Sequence, residues 1–290
     1  MKVAILGANG QLGYDVASAF AAEGNTVASL THEQIEVGSL ESVRAALEGV
    51  RPDLVINTAA FHHVEKCEAD PARAFAVNGA GARNVAEVTD GLHVPLIHIS
   101  TDYVFDGAKC SPYTEEDQPR PLNVYGNTKL SGEYFVASVN PRHFVVRVSA
   151  IYGEHPCRAK GGLNFVELML KLSRERDELR VVDDEFVTPT PTIQIARQLL
   201  ELSRTEAYGL YHATAEGSCS WYEFASAIFE MTGTRVRLEC ARPGEFPAKV
   251  PRPKYSVLEN QALKRRSLNV FTRWQEGLSH YLAQRQAAVA

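Results

Sequence analysis

The chain has 290 residues, 45% of them hydrophobic and 22% charged, so it can bury a large core and form one large domain or two smaller ones. Its formal net charge is −5 with scattered lysines and arginines, which argues against a nucleic-acid-binding stripe and leaves anionic ligands to local groups. Five cysteines without a Cys-x-x-Cys pair, and no apolar run of about 18 residues, predict a cytoplasmic protein with reduced thiols and no membrane partner.

The first predicted strand, residues 2–6, leads into a glycine-rich turn and then into a helix over residues 11–23. Glycine permits a tight turn and a close approach to a pyrophosphate, and a helix N-terminus offers free N–H groups and a positive dipole end. A glycine-rich connection without a ligand is the alternative. The order strand, turn, helix favours a dinucleotide site, whose predicted contacts are Gly7, Asn9, Gly10, Gln11 and Leu12.

Strands and helices continue to alternate through the first half of the chain. Further strands are predicted at residues 26–30, 53–57, 95–100 and 143–148, with helices at 39–49, 71–90 and 122–139. This alternation predicts an α/β protein with a Rossmann-type, doubly wound parallel sheet. Ligands bind at the carboxyl ends of the strands in such sheets, where Gly7, Asn57 and Thr101 are expected.

The predicted helix at 122–139 carries Tyr125 and Lys129 four positions apart, on one helical face. The ammonium of Lys129 is expected to favour the phenolate of Tyr125 and to lower its pKa from the ordinary value of ~10. Tyr125 would then be a general acid for a carbonyl that receives hydride, and the Thr101 hydroxyl would hydrogen-bond the same oxygen. Taken alone, Tyr-x-x-x-Lys is also typical of an ordinary half-buried helix face.

Beyond residue 150 the regular alternation gives way to loops rich in proline and glycine around helices near 163–175, 192–203, 220–232 and 272–286. We expect residues 1–150 to form the cofactor-binding domain. Residues 151–187 and 204–290 would form a smaller α/β substrate-binding domain, and residues 188–203 would return to the first.

Several longer motifs extend these observations. They are Ser-Thr-Asp-Tyr-Val-Phe-Asp-Gly at 100–107, Tyr-Gly-Asn-Thr-Lys at 125–129, Gly-x-x-Gly-x-x-Gly at 7–13 and Arg252-Pro253 with Ser256. Together they resemble the dTDP-4-dehydrorhamnose reductases, which are extended short-chain dehydrogenase/reductases, over essentially the whole chain. The resemblance implies a nicotinamide cofactor in the N-terminal sheet and a dTDP-sugar in the cleft. Hydride would pass to the 4-keto carbon while Tyr125 donates the proton and Lys129 also holds the nicotinamide ribose.

The cofactor is expected to be NADPH, with NADH as the alternative. An NAD enzyme would place an aspartate after the second strand, whereas this chain has Thr31 and His32, which tolerate a 2′-phosphate better. The acidic Glu33 next to His32 weakens this argument and leaves NADH as the alternative cofactor. By resemblance, the remaining cofactor contacts are Glu36 and Val37 at the adenine, Thr58, Ala59 and Ala60 along the cofactor, and Asn78 in support.

The residues expected to face the substrate are Thr101, Asp102, Phe105, His63, Ala150 and Arg252. Many members of the family carry tryptophan at the position of Ala150, so the sugar loses an apolar contact, and Phe105 is a candidate to fill the gap. Arg252 is the favoured diphosphate ligand because guanidinium pairs in a bidentate manner. The other candidates are Arg158, Lys160, Arg242 and Lys254.

No metal is expected. His62 and His63 are sequence neighbours that diverge in direction, and no third ligand is evident. In some family members acids hold a metal at a dimer interface; Asp15 matches one such position, but Ile193 occupies the other. Monomer and homodimer both remain open.

One neighbouring activity is disfavoured, and three other functions remain as alternatives. Sugar 4,6-dehydratases carry Asp-Glu where this chain has Asp102-Tyr103, so elimination of water is disfavoured. A related nucleotide-sugar 4-ketoreductase or a 4-epimerase would use the same three catalytic residues. A non-catalytic, NADP-binding regulatory subunit would not need Thr101, Tyr125 and Lys129 together.

Overall fold

The computed structural model describes residues 1–156, 161–242, 244–246 and 248–289. Its strands are β1 (Lys2–Leu6), β2 (Thr26–Leu30), β3 (Leu54–Asn57), β4 (Leu96–Thr101), β5 (His143–Val148), β6 (Ile151–Tyr152), β7 (Glu178–Val181), β8 (Phe186–Val187), β9 (Thr190–Pro191), β10 (Gly209–His212), β11 (Cys219–Ser220) and β12 (Arg237–Cys240). Its α-helices are α1 (Gln11–Ala22), α2 (Leu40–Val50), α3 (Val64–Ala69), α4 (Pro71–Phe75), α5 (Gly81–Gly91), α6 (Val124–Val139), α7 (Phe165–Glu175), α8 (Thr192–Ser203), α9 (Trp221–Thr232), α10 (Gln261–Arg265) and α11 (Trp274–Val289). A π-helical segment covers Ala76–Ala80, and a 3-10 turn covers Asp102–Val104.

The central sheet is parallel, with the strand order β10-β5-β4-β3-β1-β2. The chain passes from β1 to β2 on one side and then returns to β3 on the other. Strand order therefore reverses between β1 and β3, which is where doubly wound folds hold their ligands. The predicted Rossmann-type α/β class is confirmed.

Each face of the sheet is covered by helices. Val3 and Ile5 of β1 pack in a cluster with Phe20 of α1 and Leu199 of α8, whereas Ala4 and Leu6 pack with side chains of α2 and α5. Alternate residues of a strand point to opposite faces, so a strand buried on both sides reads as a continuous apolar run. That run is what identifies β1 in the sequence.

One part of the predicted domain division is wrong. Residues 204–290 were expected to lie outside the central sheet, but β10 pairs in parallel with β5 as its outermost strand. The strand is only four residues long, and its first two residues are half-buried, so its sequence carries little periodic signal. Pairing with the free edge of β5 decides its conformation, and that contact joins residues 65 positions apart, as between Gly209 and Phe144.

The helix predicted at 71–90 is interrupted, and two short helices, α3 and α10, were missed. Residues Pro71–Gly91 form α4, the π-helical segment and α5 in succession, and α3 precedes them.

The C-terminal part has a separate apolar cluster around Tyr152, Phe224 and Trp274, with short two-stranded sheets beside it. Within the described ranges, none of the helices is both long and apolar enough to cross a lipid bilayer.

Candidate active site

The glycine turn after β1 lies where strand order reverses, and its backbone packs closely against the end of β3 and the start of α1. Gly7 has φ of +77°, and a Cβ there would lie 2.9 Å from both the backbone nitrogen of Ala59 and Oγ1 of Thr58. A Cβ at Gly13 would collide with the Gly7 carbonyl oxygen. Gly10 caps α1 without a side chain, so the first N–H groups of the helix face the turn. The turn therefore fits a pyrophosphate.

The predicted contacts after Gly10 divide by chemistry. The Gln11 side chain is buried and donates from Nε2 to the carbonyl oxygens of Gly153 and His155, at 3.2 and 3.1 Å. Leu12 belongs to the core cluster, whereas Asn9 is half-buried. Both Gln11 and Leu12 thus have only their backbone N–H groups for a phosphate. The Gln11 side chain instead ties the turn to the chain after β6.

Thr31 and His32 lie at the end of β2 without an aspartate beside them. The Thr31 N–H donates to Oε1 of Gln34 at 2.7 Å, and His32 is exposed. The Glu36 carboxylate turns back to accept from the N–H of Gly38 at 3.0 Å, so it is engaged within its own turn. Val37 is buried, and its carbonyl oxygen accepts from Asn84. This edge carries a hydroxyl and an imidazole, which are compatible with a 2′-phosphate.

Thr58, Ala59 and Ala60 follow β3 beside the glycine turn and are half-buried. Oγ1 of Thr58 donates to the Leu6 carbonyl oxygen at 2.7 Å, which joins the ends of β1 and β3. Asn78 lies in the π-helical segment and is 1% exposed. Its amide oxygen accepts from Phe61 N at 2.8 Å, and its amide nitrogen donates to Oγ1 of Thr128 at 3.0 Å. Asn78 therefore fixes the loop after β3 to α6.

Thr101 and Tyr125 come together at the carboxyl end of β4. Thr101 is the last residue of the strand, and its Oγ1 accepts from the N–H of Tyr103 at 3.2 Å. Tyr125 lies in the first turn of α6, which Asn123 caps by accepting from Gly126 N at 2.8 Å. The side chains of Thr101 and Tyr125 are hydrogen-bonded, and Tyr103 lies edge-on to the Tyr125 ring with centroids 5.9 Å apart.

The electrostatics of this group reverse one expectation. Burial raises the pKa of Tyr125 above its ordinary value, opposed by the hydrogen bond between Tyr125 and Thr101. Lys129 donates from Nζ to the Ile99 carbonyl oxygen at 2.6 Å and lies 3.3 Å from Nε2 of His98. Burial also lowers the pKa of Lys129 to about 8, opposed by Glu133. The prediction that Lys129 lowers the pKa of Tyr125 is therefore wrong for this structure, because burial disfavours both charges.

The structure places Asp102 and Phe105, which were both predicted to face the substrate, in different surroundings. Asp102 is 4% exposed and accepts from Oγ1 of Thr101 at 3.0 Å and from Oγ of Ser149 at 2.9 Å. Phe105 is fully buried and stacks on Tyr113 with ring centroids 4.1 Å apart, so the prediction that it faces the sugar is wrong. The 3-10 turn directs Phe105 into the core, where it packs beside Tyr113 and Leu258.

His63 and Arg252 meet at the same acid. Arg252 NH2 donates to Glu65 at 2.5 Å, and Nδ1 of His63 lies 3.2 Å from the other carboxylate oxygen. Nε of Arg252 is buried without a hydrogen-bond partner, so the guanidinium retains a donor for a ligand. Among the other predicted diphosphate ligands, Lys254 pairs with Asp184 at 2.7 Å, whereas Arg158 and Lys160 lie outside the described residues.

Ala150 follows β5 with φ of +43° and is half-buried. Its carbonyl oxygen accepts from the N–H of Thr190 at 3.3 Å, which joins the junction of β5 and β6 to β9. Around these elements, the described part of the chain contains no group of three or more His, Cys, Asp or Glu residues placed to hold a metal ion.

Buried polar residues beside Lys129 and beside Asp102 were not predicted as site residues. His98 lies in the middle of β4, all of whose residues are buried, and contacts Asn57 at the end of β3. A histidine between the two isoleucines of a buried strand is the sequence signal that could have identified it. Ser149 and Ser256 hydrogen-bond Asp102. Ser256 was noted in the motif with Arg252 and Pro253 but was given no role, and a single serine such as Ser149 carries no such signal.

Comparisons with known proteins agree with this arrangement. The family model described as the RmlD substrate binding domain matches residues 1–287. The spore coat polysaccharide biosynthesis protein SpsK of Bacillus subtilis is 37% identical over 287 residues, covering 99% of each chain.

Two solved structures share the whole fold. The dTDP-4-dehydrorhamnose reductase of Clostridium acetobutylicum is 38% identical, with a TM-score of 0.94 over 99% of this chain and 100% of that one. The dTDP-4-dehydrorhamnose reductase of Bacillus anthracis, solved in complex with NADP, is 34% identical, with a TM-score of 0.93 over 98% of this chain and 99% of that one. The chain described here belongs to the dTDP-4-dehydrorhamnose reductase family of oxidoreductases.

Proposed function

We propose that the protein is an NADPH-dependent reductase of the 4-keto group of a nucleotide-linked deoxysugar, with dTDP-4-dehydro-L-rhamnose as substrate and dTDP-L-rhamnose as product. The observation that carries the proposal is the meeting of Thr101 and Tyr125 at the carboxyl end of β4, with Lys129 one helical turn below them. The glycine turn at Gly7 opens at the same edge of the sheet.

In the proposed mechanism a bound NADPH supplies hydride to the 4-keto carbon. Tyr125 donates its phenolic proton to the ketone oxygen as charge develops there. The raised pKa of Tyr125 keeps the phenol protonated at neutral pH, so that it is ready to act as the acid. Thr101 has a single hydroxyl proton, which now points to Asp102, and it must turn from that carboxylate to donate to the ketone oxygen.

The cofactor assignment rests on the end of β2 and on a relative. Thr31 and His32 stand where an aspartate would oppose a 2′-phosphate, and the Bacillus anthracis relative was solved with NADP. Lys129 would hold the nicotinamide ribose. On the substrate side, Arg252 would bind the diphosphate with its unpartnered Nε, beside His63 and Glu65. Residues 151–187 and the segments that flank β10 would supply the sugar-facing side of the cleft.

Replacement of Tyr125 by phenylalanine tests the mechanism. We expect kcat for keto-sugar reduction to fall by about 100-fold or more, because general acid catalysis contributes that much. NADPH binding, measured by fluorescence titration, should change little, since only the hydroxyl is removed. Turnover near that of the wild type would rule out Tyr125 as the proton donor.

Stoichiometry separates the proposed reaction from its neighbours. A reductase consumes one NADPH for each sugar converted, whereas a 4-epimerase regenerates its cofactor and a regulatory subunit consumes none. NADPH oxidation would be followed against dTDP- and UDP-linked 4-keto-6-deoxysugars. Sugar conversion without net oxidation of NADPH would refute the reductase assignment.

A further inference from the structure

A chain of three buried polar side chains runs beneath the proposed active site. Asn57, His98 and Lys129 are each 2% exposed or less and come from β3, β4 and α6. Nδ2 of Asn57 lies 3.2 Å from Nδ1 of His98, and Nε2 of His98 lies 3.3 Å from Nζ of Lys129. Buried polar groups that meet at such distances must agree on which atom donates and which accepts.

The backbone determines the orientation at one end of this chain. The amide N–H of Ala59 is a donor and lies 3.1 Å from the side-chain oxygen of Asn57. Turning the Asn57 amide over would place its NH2 group against that N–H, so the oxygen must stay there. The Asn57 NH2 group therefore faces Nδ1 of His98 and donates to it.

The tautomer of His98 follows from this orientation. A neutral imidazole carries a proton on one ring nitrogen, and Nδ1 must be the acceptor, so the proton is on Nε2. Burial holds the pKa of His98 well below its usual value, so a second proton is disfavoured. The Nε2–H group points at Nζ of Lys129, and only an uncharged amine has a lone pair to accept it.

We propose that His98 is a positioning residue of the reaction, which faces Lys129 with its Nε2–H group and thereby favours the uncharged amine of Lys129. This inference rests on the proposed role of Lys129. Asn57, through Ala59, would connect the loop that lines the cofactor to the protonation of Lys129. Of the charged groups around Lys129, Glu133 on the next turn of α6 acts in the opposite direction and favours the ammonium.

The tautomer can be measured directly in the ligand-free, full-length protein. Nitrogen-15 chemical shifts distinguish a protonated ring nitrogen from a bare one, and a His98→Gln sample identifies the His98 signals by their loss. We expect Nε2 to be protonated and Nδ1 to be bare at neutral pH. A proton on Nδ1, or on both nitrogens, would overturn the proposal without any variant having to be active.

The second measurement is the titration of Lys129, followed by the carbon-13 shift of its Cε. In His98→Gln a side-chain oxygen can face Lys129 and accept from its ammonium, so the titration midpoint should rise by about one pH unit. His143→Gln is the matched control, because His143 bonds the Asn140 carbonyl oxygen at the start of β5. A merely structural role for His98 would lower stability and leave the midpoint in place, and an unmoved midpoint would contradict the inference.

The enzyme itself gives a third reading. The limb of kcat/KM against pH that follows the titration of Lys129 should move upward in His98→Gln in step with the Lys129 midpoint, and stay fixed in His143→Gln. Both nuclear magnetic resonance readings are made without substrate or cofactor. Failure of the Tyr125→Phe test would therefore leave them interpretable, and their failure would leave the reductase assignment standing.

Discussion

Asp102 was predicted to face the substrate, but its side chain makes hydrogen bonds within the protein. Its carboxylate is buried and accepts hydrogen bonds from Thr101, Ser149 and Ser256. Thr101 is the neighbour of Asp102 in the chain, whereas Ser149 follows β5 and Ser256 lies far into the C-terminal part, so Asp102 joins the end of β4 to both. Burial nevertheless raises the pKa of Asp102, because three hydroxyl groups do not replace the water that a carboxylate loses.

This raised pKa predicts a pH-dependent stability. Asp102 keeps its proton to higher pH in the folded protein than in the unfolded chain, so its contribution to stability is lost as pH rises above about 3.9 toward the raised pKa. In Asp102→Asn that loss is absent. Urea denaturation measures the free energy of unfolding of both proteins. The value for the variant minus the value for the wild type should therefore increase as pH rises through this window. Parallel pH dependences would show that Asp102 does not titrate in this way.

Among the elements, α6 matters most, because it carries both Tyr125 and Lys129. It lies close to its neighbours only because two of its residues have no side chain. A Cβ at Gly126 would collide with the Tyr103 carbonyl oxygen, and one at Gly132 would collide with the Asn78 carbonyl oxygen and lie 3.1 Å from Cβ of Ala82. The π-helical segment that contains Asn78 and the 3-10 turn that contains Tyr103 are both held against α6 in this way.

Gly132→Ala should therefore push α6 away from the π-helical segment. We expect a loss of about 1–3 kcal/mol in the free energy of unfolding, the usual cost of overpacking, together with lower activity. Gly49→Ala is the matched control, since Gly49 is exposed in α2 with no atom within 4 Å of the added Cβ. That control should be stabilised by up to about 1 kcal/mol from helix propensity. Similar effects of the two substitutions would contradict the close packing of α6.

Across the whole molecule, a buried ion pair joins α6 to β5, the neighbour of the edge strand β10. Arg147 of β5 pairs with Glu133 of α6 through two hydrogen bonds, at 2.9 and 2.7 Å. Glu133 also accepts from Ser100 of β4, and NH1 of Arg147 lies 3.3 Å from Nε2 of His212 of β10. Nδ1 of His212 lies near the carbonyl oxygens of Tyr113 and Glu259. Segments far apart in the chain thus meet beneath Thr101.

Removal of the charge of Glu133 tests this connection. In Glu133→Gln the buried guanidinium of Arg147 loses its counter-charge, and we expect the free energy of unfolding to fall by about 3–5 kcal/mol. Glu87→Gln breaks the exposed pair with Arg83 and should cost no more than about 0.5 kcal/mol. Thermal and urea denaturation would measure both. A loss at Glu133 as small as that at Glu87 would mean that the pair does not hold the sheet together.

The sequence by itself determined the local features of this protein. The apolar run of β1, the glycines after it and the spacing of Tyr125 and Lys129 each lie within a few residues, so the chain geometry of strands, turns and helices fixes what they mean. The family motifs added the reaction class. Thr101 could be placed at the ligand-binding edge of the sheet because parallel strands present their carboxyl ends there, and the family resemblance paired it with Tyr125.

Only the tertiary structure decided what depends on distant contacts and on burial. In the tertiary structure β10 pairs with β5, Phe105 packs in the core, and Arg252 forms an ion pair with Glu65. It also raised the pKa of Tyr125, where the sequence predicted a lower value, and directed Lys129 to His98 and Ile99. A charge responds to the solvent and the groups around it in three dimensions, and the spacing of residues along a chain does not contain that information.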